Sequence, residues 1–364
     1  MRGLYIHIPF CKRICNYCDF TKRVPKNKEM IDEYLIHLKE ELYSYEKYFS
    51  SVKTIYIGGG TPTLLDEEQL DNLLSMLDIF KDITEYSIEI NPETLTKSKA
   101  LIIKKHGINR VSLGVESFDP KILNILGRSH TNTDVYNAIK YLKEVGINNI
   151  NIDLIFGTPG SDISSIEDDL KEFYKLDINH LSFYSLILEE NTIFYHQFKH
   201  KKFMPIDDEL EAEMYEFIIN DLEKNGFIQY EISNFAKNNS ESIHNRLYWE
   251  NKEYIGIGLG ASGYLDGVRY TNNTTLNLYY KKYRKNEEII DFSTKLSEEM
   301  ILGLRMLKGV NIEEVNKKFN INLLEKYSDI ANYLDKGYLE IDEGYLHLTK
   351  KGLLIANDIF EIFI

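Results

Sequence analysis

Six short runs rich in β-branched and aromatic residues recur along the first half of the chain: GLYIHI (3–8), VKTIYIGG (52–59), EYSIEI (85–90), INRVSLGV (108–115), INNINIDLIFG (147–157) and INHLSFYSL (178–186). Longer stretches separate them, and apolar periodicity predicts helices over Lys28–Phe49, Asp66–Phe80, Thr133–Val145 and Ser165–Leu176. Strand and helix alternating six times specifies parallel β/α units. Six units are too few for an eightfold barrel, so the expected fold is α/β, a partial (β/α)6 barrel with its chemistry on the loops after the strands. No short-period repeat points to a solenoid.

The pattern changes after about Leu188. A helix is expected over Asp207–Lys224, then a polar loop, AKNNSESIHN, and the segment YWENKEYIGIGLGASGY. From Ser293 the tail reads as three helices, two short strands and a last helix, a winged-helix-like α+β unit. The expected division is 1–188 for the barrel, 189–292 for a bridging region and 293–364 for the end domain.

Acidic residues number 57 against 43 Lys and Arg, a net charge of -14 with no basic stripe. That excludes nucleic acid as the expected partner and gives the tail a packing role. No segment has the pattern of a signal peptide, and no apolar run approaches the roughly 18 residues of a membrane span. A cytoplasmic location is expected, with peripheral contact to a membrane protein left open.

All three cysteines, Cys11, Cys15 and Cys18, fall in one loop after the first strand. In a reducing compartment such clustering points to metal or catalysis rather than to a disulfide. A [4Fe-4S] cluster normally takes four thiolates, so three would leave one iron open. Zinc would need a fourth ligand such as His7 or His37, and structural zinc sites more often pair two Cys-x2-Cys elements. GGGTPT (58–63) follows the second strand; a triple glycine by itself is most often a tight turn. Glu89 and Glu116 fall near the ends of the third and fourth strands and Asp153 lies on the fifth, so chemistry gathers at one rim. Taken singly, each of these carboxylates reads as a surface ion pair.

Cys-x3-Cys-x2-Cys resembles the radical S-adenosylmethionine (SAM) superfamily. YIHIPFC, GGGTPT, SIEINPE, RVSLGVESFD, LGRSH and NIDLIFGTPG narrow the resemblance to the oxygen-independent coproporphyrinogen oxidase group, over most of the chain. The resemblance implies that the three cysteines hold the cluster, that its open iron binds SAM, and that electron transfer from the cluster yields a 5'-deoxyadenosyl radical. It also implies that Gly58 and Gly59 belong to the SAM segment, and that Tyr5, Gly59, Thr61, Glu89, Arg128 and Asp153 line one or two SAM sites with Tyr17 beside the cluster. Glu89 or Asp153 would accept from ribose hydroxyls, and Arg128 would pair with a carboxylate. Glu116 stands where the group carries Gln, and its charge changes how that position meets a second SAM.

Two departures point to the HemW branch of the group: Phe20 occupies the position of an additional oxidase cysteine, and Cys11 lies almost at the start. HNRLYW, His244–Trp249, is similar to that branch's haem-binding signature. This implies haem as a ligand, His244 as its axial residue, Tyr248 and Trp249 as flat surface beside it, and delivery to an acceptor such as a respiratory haemoprotein. The alternatives are oxidative decarboxylation of coproporphyrinogen III and another radical SAM reaction.

Overall fold

The computed structural model describes residues 2–237 and 239–364. Its centre is a run of parallel strands: β1 (Arg2–Ile8), β2 (Val52–Gly59), β3 (Glu85–Ile90), β4 (Arg110–Glu116), β5 (Asn149–Phe156) and β6 (His180–Ser185), paired in chain order. All six expected strands are therefore present. The sheet extends at both edges. Beyond β6 lie β8 (Asn234–Ala236), antiparallel to it, and β7 (Ile228–Glu231); beyond β1 lie β9 (Tyr254–Ile257), parallel to it, then β10 (Ser262–Leu265), β11 (Val268–Asn272) and β12 (Arg284–Ile289). The region after Leu188 thus completes the sheet of the barrel.

Between the strands run α1 (Lys28–Ser44), α2 (Glu67–Ser75), α3 (Lys97–Lys105), α4 (Pro120–Leu126), α5 (Asn132–Glu144) and α6 (Ile163–Tyr174). Side chains of Asn27, Asp66, Thr131 and Asp162 accept from backbone N–H groups of the first turns and fix four of the starts. The sequence reading named no helix at α3 or α4. α3 is short and carries four lysines around a stripe of only two buried apolar residues, Ala100 and Ile103, too narrow to read as periodicity. After β6 come α7 (Ile193–Lys199), α8 (Asp208–Lys224) and α9 (Ile243–Trp249).

Period-two alternation sorts the strands' side chains. Leu4, Ile6 and Ile8 of β1, with Ile55 and Ile57 of β2, join the apolar core beneath the helices. The other face is polar: Thr54, Tyr56, Glu85, Glu89, Ser112, Asn151, Asp153, His180 and Ser182 bond to one another or to α9 across the lumen. The tail forms its own sheet, β13 (Val310–Asn311), β15 (Tyr345–Leu348) and β14 (Leu339–Asp342), with short helices around it. β13 adds a third strand to the two expected.

Candidate functional site

The Cys loop crosses the C-terminal mouth of the strands and is tied down at Asn16. Asn16 N–H donates to Leu126 O at 2.9 Å, its side chain donates to Ile125 O at 2.7 Å, and its carbonyl accepts from Phe194 N–H at 2.9 Å. Cys11, Cys15 and Cys18 are free and half-buried. Burial pushes the thiol of Cys11 up to about 11 and that of Cys18 to about 12. Among the described residues no three His, Cys, Asp or Glu side chains are drawn together as closely as a bound metal would hold them. The donor set is three thiols in one loop, which suits three irons.

Beside the loop, the glycine segment is shaped by its own neighbours. A Cβ on Gly58 would lie 2.8 Å from the Glu89 carboxyl carbon, one on Gly59 (φ +112°) 2.4 Å from His7 Cε1, and one on Gly60 2.7 Å from Phe10 O. The close approach that requires glycine is to the protein itself. Glu89 is fixed from two sides, by Tyr56 hydroxyl at 2.9 Å and Gly59 N–H at 2.9 Å. Burial pushes its carboxyl up to about 7, against both hydrogen bonds.

Thr61 and Arg128 meet through Asn91, which donates to Thr61 Oγ1 at 3.1 Å and accepts from Arg128 Nη2 at 3.1 Å. Arg128 also donates to Gly114 O and points Nη1 at Cys15 Sγ, 3.8 Å away, while its Nε has no partner. Glu116 takes a left-handed backbone, φ 65°, where the register of β4 against β5 shifts, a bulge that re-aims its side chain. Burial pushes its carboxyl up to about 7, with Arg128 opposing. Asp153 accepts from Ser112 at 2.8 Å and Asn151 at 2.7 Å, and burial raises it too. The structure thus joins Gly58, Gly59 and Glu89 in one group and Thr61, Arg128 and Cys15 in another. Tyr5 is spent on His7, its hydroxyl 2.9 Å from Nδ1.

Asn16, Tyr56 and Asn91 were missed. Tyr56 was within reach, since period two puts it on the face of Gly58; Asn16 and Asn91 act through loops, where spacing carries no signal.

His244 requires a correction. It lies not in a polar loop but in α9, which inserts at the foot of the lumen, at the opposite end of the strands from the Cys loop. The ring is fully buried, with Nδ1 2.8 Å from Thr54 Oγ1 and Nε2 2.9 Å from Tyr248 hydroxyl. Glu85 holds the start of α9 by accepting from the N–H groups of Ile243 and His244, both at 2.8 Å. Burial lowers the imidazole to about 3. Thr54 and Tyr248, rather than Asn245, orient it, and Trp249 stacks under the Arg305 guanidinium at 4.5 Å. In this arrangement neither ring nitrogen is free for iron, so the motif as folded does not fit haem.

Residues 5–173 match the model of the Radical SAM superfamily, and residues 293–355 that of the HemN C-terminal domain. Among curated relatives, proteins described as heme chaperone HemW are 39% identical in Lactococcus lactis, over 99% of this chain and 96% of theirs, and 38% identical in Bacillus subtilis, over 100% and 99%. The one from Escherichia coli is 32% identical over 100% and 98%. The solved structure of coproporphyrinogen III oxidase (HemN) from Escherichia coli superposes with a TM-score of 0.86 at 22% identity, covering 99% of this chain and 89% of that one, a likeness of fold. With relatives of this identity along its whole length, the chain belongs to the HemW family of the radical SAM superfamily.

Proposed function

We propose that this chain is a haem chaperone that binds a [4Fe-4S] cluster, SAM and haem, and delivers haem to an acceptor protein. The observation that carries the reading is the 39% identity to a heme chaperone HemW over 99% of the chain. Cys11, Cys15 and Cys18 would hold the cluster, and the residues Gly59, Glu89 and Arg128 beside the Cys loop would seat SAM. The Glu89 carboxylate suits hydroxyl and amino groups there, and Arg128, with an unpartnered Nε, suits a carboxylate. When bound, a reduced cluster supplies one electron to the sulfonium of SAM. The chain's own part is to fix the loop at Asn16 and to keep the lumen polar. Location in the cytoplasm and an acceptor such as a respiratory haemoprotein belong to the same reading; no described helix is long and apolar enough to cross a membrane.

The test is anaerobic reconstitution followed by haem titration and transfer. The protein should take up about four irons, lose them in Cys15→Ser, develop a Soret band with haem, and pass that band to an apo-haemoprotein. No Soret band, or protoporphyrinogen formed from coproporphyrinogen III with SAM and reductant, would overturn the chaperone reading.

A further inference from the structure

α7 and the residue that caps its C-terminus carry two histidines one turn apart that the haem and SAM readings leave unused. His196 and His200 are both exposed, their ring centroids are 4.4 Å apart, and their Nε2 atoms face each other at 3.2 Å. Two imidazole nitrogens on one tetrahedral ion, each about 2.0–2.1 Å from it, stand roughly 3.3 Å apart. We propose that His196 and His200 chelate a divalent transition-metal ion of the zinc type through their Nε2 atoms.

In the metal-free pair the same separation suits an N–H···N hydrogen bond. On binding, the donor ring moves its proton from Nε2 to Nδ1, both Nε2 lone pairs turn to the ion, and no proton need leave the pair. The location favours a cation as well, because the pair occupies the last turn of α7, where unpaired carbonyls concentrate negative potential. The nearby positive charges are Lys199, whose ammonium lies over the Tyr195 ring at 5.1 Å, and Lys201 and Lys202 just beyond the helix. Among the described residues no third His, Cys, Asp or Glu completes a set. The ion therefore keeps positions for water or an outside ligand, the mark of an open site rather than a structural one. α7 is also the helix whose Phe194 N–H holds Asn16 of the Cys loop.

Calorimetric titration with zinc chloride tests this, on protein whose three cysteines are either cluster-loaded or alkylated, so that the outcome does not depend on the cluster. One ion per chain is expected, with affinity lowered on the order of a hundredfold in His196→Ala and in His200→Ala, since each leaves a single arm. His347→Ala, in the tail, should titrate like the parent. Both α7 residues are exposed, so an unchanged melting temperature without zinc confirms the fold. The same isotherm in the parent and both α7 variants overturns the proposal.

Discussion

Tyr56 donates its hydroxyl to Glu89 at 2.9 Å while its ring lies 5.3 Å from that of His244. One side chain thus links the mouth of the lumen, where Glu89 braces Gly59, to the α9 helix at its foot.

Tyr56→Phe keeps the ring against His244 but leaves Glu89 with Gly59 N–H alone. Removing a donor from a buried acceptor costs about 1–3 kcal/mol. Urea denaturation should show that loss, and SAM should bind more weakly to the variant, as read by equilibrium dialysis. A variant as stable as the parent would mean that Glu89 is already solvated from the mouth.

The glycine segment can be tested against a neutral position. At Gly60 a new Cβ meets two carbonyls, Phe10 O at 2.7 Å and Ile8 O at 2.8 Å, which cannot swing aside as a side chain would. Gly60→Ala should cost more than about 2 kcal/mol and abolish SAM binding. Gly107 has φ +82° but nothing within 4 Å of its Cβ, so Gly107→Ala should cost only about 1 kcal/mol of backbone strain and leave SAM binding intact. Equal losses at the two positions would refute the packing argument.

Glu41 gives a pH signature away from the site. It is buried in the core, accepts from Tyr279 at 2.6 Å, Gly258 N–H at 2.8 Å and Asn272 at 2.7 Å, and burial pushes it up to about 7. Between about pH 4.5 and 7 the folded chain holds a proton that the unfolded chain has lost. Its contribution is full below about 4.5 and is lost as pH rises through 7, at up to about 1.4 kcal/mol per unit. Buried His7 and His244, lowered by burial, act in the opposite direction below pH 6.5, so the whole-chain curve mixes both signs. The difference between the parent and Glu41→Gln isolates the carboxylate: the parent's advantage should shrink steadily across that window. A flat difference would mean that Glu41 stays ionised.

The six strands were legible because their outer faces are apolar without interruption, as at Leu4, Ile6 and Ile8. The cysteine loop was legible because three thiols within eight residues have few other uses. What spacing could not reveal was which end of the lumen a residue reaches. β7 to β12 are short and several depend on edge pairing, so their residues carried no strong pattern. His244 follows a polar stretch, and only the three-dimensional path, with Glu85 of β3 gripping the start of α9, places it under the barrel.

That placement yields the sharpest prediction. With Nδ1 on Thr54 and Nε2 on Tyr248, His244 acts as a structural residue, and iron can reach it only if α9 leaves the lumen. His244→Ala removes two hydrogen bonds and the ring beneath Tyr56, and should lower stability by about 2–4 kcal/mol. A haem-loaded sample of the variant should still show the Soret band of the parent at the same wavelength. If the band is lost instead, α9 opens during haem uptake, and Glu85→Gln, which weakens the grip on the helix start, should then speed haem capture by the parent sequence. Stopped-flow absorbance on the three proteins separates the two cases, because a purely structural His244 leaves the capture rate unchanged when Glu85 is altered.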